Sequence, residues 1–398
     1  MQRLSSPDPD PPPPVGPRSS GRHEMGGEFG DFEDPAIRMS NRGFDLLDNA
    51  TSKVTAILPQ IIDQKTRAAD QNLPLDERIE AFEDIFDSEV GDTALTRARN
   101  LEREYNISQL YLKFDGGNPT GSQKDRIAFA QVLDAMRRNF ETVSLATCGN
   151  YGSAMAFAAS LAGLGCRIYI PEKYHTRRLA EMERFGAEIV RTPHDYEHAV
   201  WVSSETAERE DLYDANPGGK NTDIQLRAYG EIAYEIYDEL RDAPAAVAVP
   251  VSNGTTLAGI YRGFVSLYRR GKTSRIPRII AGSSHSKNPI VNAFRKNLAR
   301  CEDLNPQRIR ESQVNEPLIN WHSIDGDLAL MAVRRSGGWV ADASDKSLIA
   351  LSRKLRDQEG LHVMPAATAG IEAFLQRHRE SALPNDRYVV ILTARRSS

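Results

Sequence analysis

Lys124 stands in the run Asn118-Pro119-Thr120-Gly121-Ser122-Gln123-Lys124-Asp125-Arg126, directly after a turn of small and polar residues. A primary amine held at a helix start can attack an aldehyde and then exchange protons with nearby carbon atoms, so it is a candidate for covalent and acid–base work. Most lysines at helix starts are solvated surface charges. What raises this one is the company it keeps along the chain. Two further segments, Thr147-Cys148-Gly149-Asn150-Tyr151-Gly152-Ser153 and Val251-Ser252-Asn253-Gly254-Thr255-Thr256, place small hydrogen-bonding residues between an apolar run and a helical pattern. Free backbone N–H groups at a helix start, aided by the helix dipole, make such loops ready anion sites. Neither loop follows G-x-G-x-x-G or G-x-x-x-x-G-K-[ST], so dinucleotide and P-loop nucleotide binding lack their sequence support.

The elements that must position these groups are readable from periodicity. Gln109 to Phe114 alternates as a strand, and Ile127 to Arg138 carries Ile127, Phe129, Val132, Leu133 and Met136 at helical spacing. Val143 to Ala146 reads as a short apolar strand followed by an Ala-rich helix from Ala154 to Leu164. Val247 to Val251 reads as another strand, followed by a helix with Leu257, Ile260, Phe264 and Tyr268 on one face. Strands near 279–282 and 388–393 alternate with helices near 348–358 and 369–378. This alternation predicts an α/β protein with mostly parallel sheets flanked by helices.

The three motifs, in this order, resemble the fold-type II pyridoxal-phosphate enzymes, and within them most closely the threonine synthase group. The resemblance runs over roughly residues 91–393, helped by Phe185-Gly186-Ala187-Glu188-Ile189-Val190 and Val389-Val390-Ile391-Leu392-Thr393. It implies pyridoxal 5′-phosphate as cofactor, in a cleft between two domains, with Lys124 as the Schiff-base lysine. It implies Asn150 at the cofactor's 3′-oxygen, Thr393 at the pyridine nitrogen, and Ser252, Asn253, Gly254, Thr255 and Thr256 around the 5′-phosphate. The Asn150 loop with the Thr147 hydroxyl would receive a substrate carboxylate. A phosphorylated substrate needs cations as well, and Arg178, beside His175 and Arg177, is the candidate. His285 and Lys287 form a second candidate cluster, and His362 reads as packed.

The implied reaction is that of a lyase or synthase on an amino acid: O-phosphohomoserine and water to threonine and phosphate. The alternatives are β-replacement on a serine derivative and dehydration of serine or threonine. A regulator that binds the cofactor without turnover is opposed by the intact Lys124 and both loops. The chain departs from the family pattern at Gln123, at Gly230-Glu231-Ile232 where a Gly-Gln-Lys segment is common, at Met364-Pro365-Ala366-Ala367, and at Ala394-Arg395-Arg396. These departures bear on the substrate rather than on the cofactor.

Composition excludes several other classes. The net charge of −5 over 398 residues leaves no electrostatic footprint for nucleic acid. No apolar run approaches the ~18 residues that would span a membrane. Three cysteines (Cys148, Cys166 and Cys301) lack metal-ligand spacing, so no metal is expected, and they suit a reducing cytoplasm. Cys148 reads as a small wall residue of the Asn150 loop. Residues 1–43, rich in Pro and Gly with no apolar signal region, are expected to form a disordered extension. Residues 44–90 are expected to form a helical segment, with a break at Pro59. Residues 91–125 and 193–398 would build the large cofactor-binding domain and 126–192 a small mobile one. The resemblance further implies a homodimer acting on small amino-acid substrates.

Overall fold

A computed structural model of the protein describes residues 63–396, apart from Cys148, Lys173, His175 and Arg177. The expectations for the Pro-rich extension, for Phe44–Leu58, and for those individual residues lie outside the described part. The described chain forms two sheets. Strands are β1 (Leu95–Arg97), β2 (Leu110–Phe114), β3 (Thr142–Ala146), β4 (Gly165–Pro171), β5 (Glu188–Thr192), β6 (Tyr213–Asp214), β7 (Ala246–Pro250), β8 (Arg278–Ser284), β9 (Trp339–Ala343) and β10 (Tyr388–Leu392). The larger sheet has the order β1-β2-β10-β7-β8-β9 and the smaller one β5-β4-β3-β6. Every pairing is parallel except β1 with β2. The smaller sheet thus takes its fourth strand from Tyr213–Asp214, past residue 192.

Parallel strands covered by helices on both faces need apolar side chains on both sides. That is why β7 (Ala-Val-Ala-Val-Pro) and β10 (Tyr-Val-Val-Ile-Leu) read as continuous apolar runs, and all five residues of each are buried. The observed helices start earlier than the apolar periodicity suggests. Helices at Lys124–Arg137, Asn150–Ala162 and Thr255–Arg269 open on the polar residues of the three motifs themselves. Their first turns are polar yet mostly buried: Asp125, Arg126, Ser153 and Thr255 each bond to a polar partner there instead of packing in the apolar core.

One helix pair matters for the site. Thr222–Leu240 packs on Thr255–Arg269 at a point where a Cβ on Gly263 would lie 2.5 Å from the Gly230 carbonyl oxygen. A Cβ on Gly259 would lie 2.6 Å from that of Tyr229. Only glycine permits so close an approach at Gly259 and Gly263, whereas a Cβ on Gly230 would meet its nearest neighbour, the Gly259 carbonyl oxygen, at an ordinary 3.5 Å. Among the described residues, no helix is long and apolar enough to cross a membrane.

Candidate active site

In open parallel sheets ligands gather beyond the carboxyl ends of the strands. Here Asn118–Lys124 follows β2, Thr393 follows β10, Ser252–Thr256 follows β7, and Thr147–Asn150 follows β3. Because β2, β10 and β7 are adjacent in the larger sheet, the first three segments lie side by side. The chain end is stitched to the Lys124 turn: Gln123 N–H donates to the Thr393 carbonyl at 2.9 Å, and Arg395 N–H to the Gly121 carbonyl at 2.9 Å.

Lys124 is the first residue of its helix and is half-buried. Its Nζ lies 3.1 Å from the Tyr229 hydroxyl, with the Tyr229 and Tyr151 ring centroids at 5.6 Å and 5.7 Å. Two aromatic faces therefore flank the amine. Tyr151 is anchored from below, its hydroxyl donating to the Ala215 carbonyl at 2.7 Å while Gln131 Nε2 donates to it. Behind the amine, Arg126 is buried against Asp115, with Nε to Oδ2 at 2.9 Å, and against Glu235. Lys113 is fully buried and is tied to Glu235 and to the Thr93 carbonyl. Burial pushes the Glu235 carboxyl up, but Arg126 and Lys113 together outweigh it and hold the group well below the usual carboxylate range. Lys113 is thereby committed to an ion network, and Lys220 has 86% of its side chain exposed.

The turn ahead of Lys124 has its own clamp. Thr120 donates through Oγ1 to Asp125 Oδ1 at 2.7 Å and through its N–H to Oδ2 at 3.1 Å. Burial raises the Asp125 carboxyl to about 6, against the pull of those Thr120 bonds and of the Arg178 charge. Arg178 precedes the helix Leu179–Arg184 on the smaller-sheet side. Its guanidinium donates to the Thr120 carbonyl through both terminal nitrogens at 3.1 Å and pairs with Glu181 at 3.0 Å. It bridges the two sides of the cleft.

The two loops are alike in one respect: neither the Asn150 helix nor the Thr255 helix has a side-chain cap on its first N–H groups. Gly254, at φ 101°, precedes the latter; a Cβ there would lie 2.8 Å from both the Asp325 carbonyl oxygen and the Ala329 Cβ. Asn253 Oδ1 accepts from Asn320 at 3.0 Å, and the Ser252 carbonyl accepts from Asn288 at 2.9 Å. Thr255 and Thr256 are buried at the helix start, and the Thr255 hydroxyl donates to Asp325. Burial raises the Asp325 carboxyl, opposed by the Thr255 bond and the Lys124 charge. Lys124, Thr255 and Asp325 thus belong to one electrostatic neighbourhood. On the other side, a Cβ at Gly149 would meet nothing within 4 Å. Thr147 is buried, with Oγ1 accepting weakly from the Gly149 N–H at 3.4 Å.

Three other expected residues lie elsewhere. His285 has 72% of its side chain exposed and pairs with Asp342, and half-buried Lys287 reaches the Arg310 carbonyl. His362 is exposed rather than packed, because it lies on the outer side of the bridge between Val363 and Arg395. Tyr229 and Asp325 carry no mark in the sequence that sets them apart. Tyr229 looks like one more apolar-face residue of its helix, and Asp325 like an ordinary helix-capping residue.

A lysine, two uncapped helix starts and a terminal hydroxyl, all beyond the carboxyl ends of parallel strands, define the fold-type II pyridoxal-phosphate architecture. The chain belongs to the family described as pyridoxal-phosphate dependent enzyme, which residues 86–394 match. It is 30% identical over 305 residues to the threonine synthase of Methanocaldococcus jannaschii, covering 76% of this chain and 74% of that one. Its fold is similar to maize serine racemase, with TM-score 0.66 and 16% identity over 80% of this chain and 94% of that one. It is similar also to threonine deaminase isoform 2 of Solanum lycopersicum, with TM-score 0.66 and 15% identity over 86% and 85%. The chain is a pyridoxal-phosphate-dependent enzyme. The donor set fits that cofactor: an amine held between aromatic faces, an uncapped helix start behind a glycine with no room for a Cβ, and open space at Gly149.

Proposed function

We propose that this enzyme makes threonine from O-phosphohomoserine and water, releasing phosphate, with its cofactor held at Lys124. The observation that carries the catalytic part is the Lys124 amine on the Tyr229 hydroxyl, between two uncapped helix starts. Sequence similarity to a threonine synthase supports the choice of reaction. The bound cofactor supplies an electron-withdrawing ring that lets carbon–hydrogen bonds of the substrate ionise. Lys124 would bind the cofactor's aldehyde carbon and, once displaced by the substrate amine, take and return protons at the substrate's carbons. Ser252, Asn253, Gly254, Thr255 and Thr256 would hold the 5′-phosphate, Asn150 the 3′-oxygen and Thr393 the pyridine nitrogen. A hydroxyl at that nitrogen carries no charge, which leaves the ring a moderate electron sink suited to elimination and replacement. Thr147 and the first N–H groups of the Asn150 helix would take the substrate carboxylate.

Arg178 is the proposed partner of the substrate phosphate. It would have to turn from Glu181 toward the substrate, keeping its tie to Thr120. Its engagement with Glu181 is also the one observation favouring a second reading, β-replacement or dehydration of an unphosphorylated serine or threonine derivative. Phosphate release and keto-acid formation across phosphorylated, acetylated and free hydroxy amino acids decide between them. Under the first reading Arg178→Ala raises KM for O-phosphohomoserine steeply and leaves cofactor absorbance unaltered. Equal turnover of an unphosphorylated substrate sinks it.

A further inference from the structure

Asp325 places a carboxylate where a phosphate-binding loop would be expected to offer only donors. It stands immediately before the helix Gly326–Arg335, in the position where an aspartate ordinarily accepts from its own helix's first N–H groups. It makes no such bond. Instead its Oδ2 accepts from the hydroxyl of Thr255, the first residue of the uncapped helix. Its N–H donates to the Asn253 carbonyl at 3.0 Å, and 5% of the residue is exposed. The carboxylate is therefore turned toward the cradle and fixed there. Lys124 is the cation that acts on it across the cleft, while Asn253 and Thr255 are neutral. On its own segment, His322 is exposed and paired with Asp303, and Asp327 accepts from the Cys301 N–H on the far side.

We propose that Asp325 is the proton-linked partner of the cofactor's phosphate: as the phosphate docks on the Thr255 helix, the two acids take up one proton from solvent and share it. The proposal rests on the reading of Ser252–Thr256 as the phosphate cradle. A phosphate monoester brings close to two negative charges at neutral pH. The helix start offsets roughly half a charge, and Ser252–Thr256 contain no Lys or Arg. A third negative charge on the same threonine hydroxyl, in a buried site, cannot persist beside the phosphate, for the reason that two adjacent carboxylates share a proton. With one proton added, the Asp325 O–H donates to a phosphate oxygen, and an acid that opposed the ligand becomes one of its donors. No other bond is made or broken.

The test compares pyridoxal 5′-phosphate with pyridoxal, which lacks the phosphate but forms the same link to Lys124. Dissociation constants for the cofactor-free protein are measured from pH 7 to pH 9 by absorbance. Proton changes at the amine affect both ligands and cancel in the comparison. The affinity for pyridoxal 5′-phosphate should fall up to roughly tenfold per pH unit more steeply than that for pyridoxal, as uptake of one proton requires. Asp325→Asn should bring the two slopes together and tighten binding of the phosphorylated ligand at pH 9. Equal slopes for the two ligands in the wild-type protein overturn the proposal. So does an undiminished difference between slopes in Asp325→Asn. If that variant does not fold, calorimetry of the wild-type protein in two buffers of different ionisation enthalpy counts the protons directly, and an equal count for both ligands overturns it. Gly254→Val separates the two ideas. If it leaves affinity for the phosphorylated ligand unchanged, the cradle reading itself fails. If it weakens that affinity while the slopes stay equal, only the shared proton fails.

Discussion

The Asn150 helix and the Thr255 helix begin alike and end up unlike. Both follow a parallel strand, both open on a glycine and small polar residues, and neither caps its first N–H groups with a side chain. Yet a Cβ at Gly149 meets nothing within 4 Å, while one at Gly254 would strike the Asp325 carbonyl and Ala329 at 2.8 Å. The Thr255 loop is backed by Asn288, Asn320, Ser323 and Asp325, whereas the Asn150 loop has open space at Gly149. A loop braced by several neighbouring side chains suits a group that binds once and stays. An open one suits a group that enters and leaves at each turnover. Under the proposed assignment the first loop would keep the cofactor phosphate and the second would exchange the substrate carboxylate.

Lys124 lies between the two loops, and its removal is the largest expected effect. Lys124→Ala should abolish turnover and remove the site of borohydride trapping, while circular dichroism stays that of the wild-type protein. Peptide mapping of the reduced wild-type enzyme should find the label on Lys124. A label on Lys113 is not expected, because that amine is buried in the Glu235 network.

The contrast between the glycines comes next. Gly254→Val should weaken cofactor binding by more than roughly tenfold, since a branched side chain has neither the space nor the backbone conformation there. Gly149→Ala should leave cofactor affinity within about threefold, because its Cβ points into open space. Equilibrium titration of both variants reads the contrast, and equal losses would erase it.

The smallest effect concerns the Thr120–Asp125–Arg178 clamp that joins the two sides. The Asp125 carboxyl is raised in the folded protein to about 6 by burial, outweighing the Thr120 bonds and the Arg178 charge. Its folded-state value lies above the unfolded one, so the protonated form is the stabilising form. That contribution is fully present below about pH 4 and is lost as pH rises through about 6. Asp125→Asn can keep both Thr120 contacts without titrating, its Oδ1 accepting from the Thr120 N–H and its Nδ2 donating to the Thr120 hydroxyl. Relative to this variant, the wild-type protein should lose on the order of 2–3 kcal/mol between pH 4 and pH 7. Melting temperatures of the two proteins across that range check the sign, and parallel curves would contradict it.

Much of this arrangement is legible in residue type alone. The run Asn118–Arg126, the Thr147–Ser153 loop and the Val251–Thr256 loop each carry their local conformation in composition: proline and glycine for the turn, small donors for the helix start, alternating or continuous apolar residues for the strand. Periodicity places the helix starts too late, because the first turns are buried through polar partners and an apolar pattern detects only an apolar buried face. Tyr229 is a partner of Lys124 because Gly259 and Gly263 let two helices approach closely. Neither helix shows this alone.

The sequence by itself determined which chemistry the chain can offer: one amine at a helix start and two loops rich in small donors, the second of them, Ser252–Thr256, without a cation. Only the tertiary structure decided how these meet. Insertion of β10 between β2 and β7 brings Thr393 beside the Lys124 turn, although 269 residues of chain separate them. Folding also turned Asp325 away from its own helix and onto Thr255. Local residue type governs backbone conformation over a few residues, whereas the order of strands and the direction of a buried carboxylate depend on packing between distant segments.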